Sequence, residues 1–116
     1  MAELKNISLP PVQLSTNKAT RFLTVKQGDN EISLSREAIN NLKKLRNGGF
    51  ETNMFSSQML KNKFSMDAEE NVTVTCNEDT IVLRKTKRYD DVQRVLDYTE
   101  KHKRYLAWER DFKRRR

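Results

Sequence analysis

The chain has a single cysteine, Cys76, and a single histidine, His102. An internal disulfide is therefore excluded, and a zinc centre built from Cys and His ligands has only these two donors to draw on, too few for a cluster. Three glycines and two prolines in 116 residues rule out collagen-like and low-complexity chains. No apolar run approaches the roughly 18 residues that would cross a bilayer. Met1 to Pro11 also lacks the basic start and apolar centre of a secretory leader, so a cytoplasmic protein without a membrane partner is expected. Hydrophobic residues reach only 35% while charged residues reach 34%, so one small domain with a thin core is expected.

The means for catalysis are poor. No His/Asp pair or paired carboxylates in an apolar setting stand out, and Asp67, Glu69 and Glu70 cluster in a polar connector. Cys76 ends an alternating strand segment and reads as a small core residue rather than a nucleophile. The expectation is a non-enzymatic protein with no cofactor, no metal and no small-molecule substrate.

What is abundant is positive charge, and it is unevenly placed. Residues 84–116 hold 13 Lys and Arg against 6 Asp and Glu, whereas residues 1–83 hold 10 of each, so the whole net charge of +7 lies in the last third. Acids come early in that third and bases late, an order that a helix dipole also favours. A polyanion would meet the C-terminal end.

Hydrophobic periodicity divides the chain into an extended N-terminal arm (1–20), a small core (21–88) and a basic C-terminal helix (89–116). Arg21 to Lys26 and Glu31 to Leu34 form a hairpin about a turn at Gln27-Gly28-Asp29-Asn30. Ser35 caps a helix over 36–46 whose stripe is Ala38, Ile39, Leu42 and Leu45, and Asn47-Gly48-Gly49 ends it in a left-handed cap. Phe50 to Phe55 reads as a short strand, followed by a short helix from Ser56 or Ser57 carrying Met59, Leu60 and Phe64. Asn71 to Cys76 and Thr80 to Lys85 form a second hairpin. From Asp90, with Gln93 placed to complete a capping box, a helix of about 25 residues is expected. Its apolar seam (Val95, Tyr98, His102, Tyr105, Trp108, Phe112) is the expected interface with a second copy or another protein. The fold class is α+β: two β-hairpins with short helices and a long basic amphipathic C-terminal helix.

The first hairpin from Thr24 through Gly28-Asp29-Asn30 to Ser35-Arg36-Glu37, and the second from Met66 to Lys85, together resemble the swapped-hairpin domain of the AbrB and MazE antitoxin families. The resemblance covers about a third of the chain. It implies a homodimer that binds DNA through basic residues of the first hairpin and its flanks, here Arg21, Lys26 and Arg36. The chain departs from the pattern at Ser35, where the family places proline before the helix. It departs again in the long connection from Asn47 to Ser65, and in a basic rather than acidic C-terminal end.

Two function classes follow. The first is a regulator binding nucleic acid through Arg21, Lys26 and Arg36 or through Lys101, Lys103, Arg104, Arg110, Lys113, Arg114, Arg115 and Arg116. The second is an inhibitor or accessory protein, similar in size and composition to small phage-encoded ones, that docks on a nucleic-acid-handling complex through its C-terminal helix.

Overall fold

The structure, a computed structural model, describes residues 10–48 and 62–108. Among them the chain forms β1 (Gln13–Thr16), β2 (Leu23–Gln27), β3 (Asn30–Leu34), α1 (Arg36–Gly48), β4 (Asn62–Met66), β5 (Val72–Cys76), β6 (Asp79–Leu83), α2 (Asp91–His102) and a 3-10 turn (Lys103–Tyr105). The fold is α+β, with two three-stranded antiparallel sheets, β1-β2-β3 and β4-β5-β6. Both expected hairpins are present, each extended by a strand the sequence reading did not assign.

The two sheets are copies of one plan. Leu23 to Leu34 superposes in sequence on Val72 to Leu83 without a gap, with Thr24, Val25, Ile32 and Leu34 matched by Thr73, Val74, Ile81 and Leu83. Registers agree as well: Leu23 pairs Leu34 as Val72 pairs Leu83, and Leu14 pairs Val25 as Phe64 pairs Val74. Turn chemistry repeats too. Asn17 Oδ1 accepts from the Ala19 and Thr20 N–H groups, as Asp67 Oδ1 accepts from Glu69 and Asn71. The four residues of positive φ among those described fall into two matched pairs, Arg21 (63°) with Glu70 (69°) and Gly28 (62°) with Asn77 (57°). Left-handed backbone costs a residue with a Cβ about 1–2 kcal/mol, so its recurrence at equivalent points reflects a shared turn geometry. Each unit then ends in a helix capped at its third N–H, Ala38 N–H to Ser35 Oγ and Gln93 N–H to Asp90 Oδ1.

The halves interlock. Strands β3 and β6 lie against one another, with β2 also touching β6 and β5 touching β3, the reciprocity of an approximate two-fold axis. Each half reaches across with a buried carboxamide. Gln27 Nε2 donates to the Val82 carbonyl (3.0 Å) and Gln27 Oε1 accepts from the Val82 N–H (2.9 Å), while Asn62 Nδ2 donates to the carbonyl of Ser33, the counterpart of Val82 (3.2 Å). Helices cross over in the same way. From α1, side chains pack on β4 as well as β3. From α2, Arg94 donates to the Val12 carbonyl and Tyr98 Oη meets Thr16 Oγ1 of β1. One core results, uniting Val12, Leu23, Val25, Ile32 and Leu34 with Val72, Val74, Ile81 and Leu83 and with the helix residues Ala38, Ile39, Leu42, Leu45, Val92 and Val95.

Several expectations are corrected. Part of the N-terminal arm is strand β1, because Val12-Gln13-Leu14-Ser15-Thr16 alternates as soon as Pro10 and Pro11 are passed, and Val12 is buried. Phe64 belongs to β4, where it faces the core opposite Val74, not to a helix. The expected strand at Phe50 to Phe55, the start of that helix and Gly49 lie outside the described residues. Gly48 is the last residue of α1 rather than a left-handed cap.

The long C-terminal helix is absent: α2 ends at His102 and, after one 3-10 turn, the backbone extends at Leu106 (φ −104°, ψ 130°). Tertiary bonds outcompete the helix there. Ala107 N–H donates to the Arg21 carbonyl (2.8 Å) and the Ala107 carbonyl accepts from Arg36 N–H (3.1 Å), with Leu106 and Ala107 both buried.

Removing the Gln27 carboxamide leaves the Val82 N–H and carbonyl without their partner, so Gln27→Leu should lower stability by about 1–3 kcal/mol. Asn62→Leu should cost clearly less, because Asn62 Oδ1 is buried with no partner and its removal relieves a penalty. Urea midpoints of the two variants check the order.

Candidate nucleic-acid interface

The segment 103–108 draws together residues that are far apart in the chain. Arg21 closes the β1–β2 loop, where Asn17 N–H bonds to Phe22 O and Arg21 N–H to Asn17 O, and its left-handed backbone turns its carbonyl toward Ala107. From the same residue Nη2 donates to the Arg104 carbonyl (3.2 Å). Arg36, first residue of α1, lies with its guanidinium 5.0 Å from the Trp108 ring centroid, a cation–π contact. Arg21, Arg36, Arg104 and Trp108 thus share one end of the molecule. None of these three arginines forms an ion pair among the described residues.

The equivalent end of the other half is arranged differently. Glu70 occupies the position of Arg21, and its carbonyl accepts from Arg46 Nη2 (3.3 Å). Around it Arg46 pairs with Asp90 at 2.7 Å, and Lys85 pairs with Glu70 at 3.3 Å and Asp90 at 3.8 Å. Burial alone would raise the Asp90 carboxyl, but the hydrogen bonds from Arg46 and from Gln93 N–H, with the charges of Arg46 and Lys85, hold it below the usual aspartate range. One end is tied by ion pairs among Arg46, Lys85, Glu70 and Asp90, while at its counterpart Arg21, Arg36 and Arg104 form none among the described residues.

The remaining expected residues divide. Lys101 and Lys103 are exposed beside this end, with Lys103 held at 2.9 Å by Glu100, whose carboxyl is lowered chiefly by that hydrogen bond and by the Lys103 charge. Lys26 lies on the solvent face of the first sheet, opposite Glu31 and Gln13 in the ladder, not in the arginine cluster. Arg110, Lys113, Arg114, Arg115, Arg116 and Phe112 lie outside the described residues.

The expected interface seam is largely taken up by the fold. Val95 is fully buried in the core, and Tyr98 and His102 stack on each other at 4.1 Å, with Tyr98 tied to Thr16. Trp108 is half-buried under Arg36, and Tyr105 alone of the described seam residues is widely exposed. The seam fails because helical spacing was continued past His102, where the helix stops. Asp90 and Gln93 form half of the expected capping box: Gln93 N–H donates to Asp90, while the Gln93 amide bonds to Asp97 instead of reaching back.

A groove of about 410 Å³ runs between α1 and α2, with Arg36, Lys43, Arg46 and Lys103 facing Asp97 and Glu100. Its mixed signs suit neither a polyanion nor an apolar ligand. Among the described residues no group of three or more His, Cys, Asp or Glu could hold a metal, and no helix is long and apolar enough to cross a membrane. No family model, curated protein or solved structure matches the chain.

Two measurements test this arrangement. Arg21→Gly relieves left-handed backbone that Arg21→Ala retains, so the glycine variant should be the more stable of the two by about 1 kcal/mol in thermal unfolding, though both lose the same charge. For Asp90, a carboxyl lowered on folding, the contribution is complete above about pH 4, where an unfolded aspartate titrates, and is lost as pH falls through the lower folded value. The stability gap between wild type and Asp90→Asn should be constant near neutrality and close in acid below pH 4.

Proposed function

We propose that the protein is a non-enzymatic regulator that binds nucleic acid, and that the contact surface is the end carrying Arg21, Arg36, Arg104, Lys101 and Lys103. One observation carries the reading. Three arginines from the β1–β2 loop, the start of α1 and the C-terminal segment come together at one end: the Arg21 side chain rests on the Arg104 backbone carbonyl, the Arg36 side chain on the Trp108 indole, and none of the three forms an ion pair among the described residues. The other end of the same repeated plan is neutralised by Asp90 and Glu70, so the contrast is not imposed by the fold. In the sequence the segment is followed by a lysine- and arginine-rich stretch, 110–116. Phosphates neutralised there would release counterions, which makes affinity steeply salt-dependent.

The test is a salt titration with a fluorescent oligonucleotide. Replacing Arg21, Arg36 and Arg104 together by glutamine should reduce the slope of log K against log salt by about 2–3, one unit per phosphate contact, whereas Lys26→Gln should leave it nearly unchanged. A truncation after Trp108 keeps Leu106 and Ala107 in place and should fold and bind more weakly; one before residue 103 removes the anchor and should destabilise the β1–β2 loop. Failure of the wild type to bind any oligonucleotide at physiological salt would overturn the reading and pass the surface to an acidic protein partner.

A further inference from the structure

Two tyrosines, Tyr89 and Tyr105, are the only large hydrophobic side chains widely exposed among the described residues, at 57% and 62%. A lone exposed aromatic is ordinary. These two, however, end the same tripeptide, Lys87-Arg88-Tyr89 and Lys103-Arg104-Tyr105, one triplet on each side of α2.

Both are carried on hydrogen-bonded turns. In the first, Thr86 Oγ1 accepts from the Arg88 and Tyr89 N–H groups and Thr86 N–H donates to the Tyr89 carbonyl (2.7 Å), the turn being closed by the Lys85–Asp90 bridge. In the second, Leu106 N–H closes the 3-10 turn on the Lys103 carbonyl. The first triplet lies in the connection from β6 to α2, which has no counterpart in the first half, where β3 runs into α1 through Ser35 alone. Lys87, Arg88 and Arg104 have exposed side chains and form no ion pair among the described residues. A rigid turn that holds an aromatic ring in water beside unpaired cations costs the monomer apolar exposure and gives it nothing in packing.

Such a pairing of ring and cation matches the two surfaces of an unpaired nucleotide, its base and its phosphate. A duplex offers phosphates and base edges but no free base face, since its bases are already stacked. We infer that the ligand is single-stranded nucleic acid, that Tyr89 and Tyr105 stack on its bases, and that Lys87, Arg88 and Arg104 meet the adjoining phosphates. This inference rests on the nucleic-acid reading above. The α2 helix between the triplets is 12 residues long, about 18 Å, a separation that a strand of a few nucleotides can span.

The experiment compares Tyr89→Ala, Tyr105→Ala, the double variant and the Tyr→Trp replacements of the full chain, using anisotropy with a labelled thymidine oligomer, a uridine oligomer and a DNA duplex. Unfolding midpoints should stay close to wild type, since both rings are exposed. Each alanine should weaken single-strand binding about 5- to 100-fold without changing the salt slope, tryptophan should retain or improve it, and duplex binding should change by less than about two-fold. A difference between the thymidine and uridine arms identifies which strand is preferred, and either preference supports the inference. A double alanine variant that binds single strands within about two-fold of wild type overturns it while leaving the nucleic-acid reading standing. Absence of wild-type binding to all three probes overturns both.

Discussion

Strands β3 and β6 each have a ladder partner on one side only, and the two sheets meet where those free edges approach. Gln27 bridges them by offering the Val82 backbone one donor and one acceptor, the pattern a neighbouring strand would present. Its Nε2 also donates to the Pro10 carbonyl, so the chain entering β1 is fixed by the same side chain. A polar group in this position is tolerated because both ends of its amide are satisfied. The core on either side is continuous only because this contact lets two short sheets share it. With short strands and 35% hydrophobic residues, the two halves bury their helices in one shared core rather than two.

On that shared plan the two ends differ in charge, a difference the fold itself does not impose. Two equivalent halves place two equivalent turns at opposite ends, each beside the C-terminal end of the other half's helix: Glu70 beside Arg46, and Arg21 beside the segment after α2. The backbone at both is similar, left-handed and closed by an Asx turn, the first turn being one residue longer. Side chains set the difference: at one turn Glu70 and Asp90 are paired with Arg46 and Lys85, at the other Arg21 forms no ion pair among the described residues. A repeated scaffold thus carries different side chains at its two equivalent turns, in keeping with the general separation of folds from the sites they carry.

Much of this was legible in the sequence. The period-2 alternation at 72–76 and 79–83, the stripe Ala38, Ile39, Leu42 and Leu45, and the caps Ser35 and Asp90 each stated their structure locally. Strand β1 was hidden by Pro10 and Pro11, whose punctuation masked the alternation that follows. The repeat was also readable, since Leu23 to Leu34 and Val72 to Leu83 align without a gap. It was obscured because the left-handed turn position is glycine in one copy and asparagine in the other, and the helices follow at different distances. What no local pattern could give was the stop of α2. Leu106 and Ala107 suit a helix well enough, and only the Arg21 carbonyl and the Arg36 N–H, more than 70 residues away in the chain, draw them out of it. For the site, the arginines were found singly, but their convergence depends on that same long-range tie. The two Lys-Arg-Tyr triplets were in plain view as a recurring tripeptide, and a search for short repeats would have paired them.

Those ties also impose an order in time. As the chain leaves the ribosome, α1 forms early but cannot close its N-terminal contact or hold the Arg21 loop until Ala107 has been made and released. The first half waits, with its helix uncovered, for the second half's strands and then for the segment that follows its helix. Contacts of such long sequence separation slow closure of the chain. The cationic end is therefore completed only after both repeats and Ala107 have been made, and a chain stopped before that residue cannot present it.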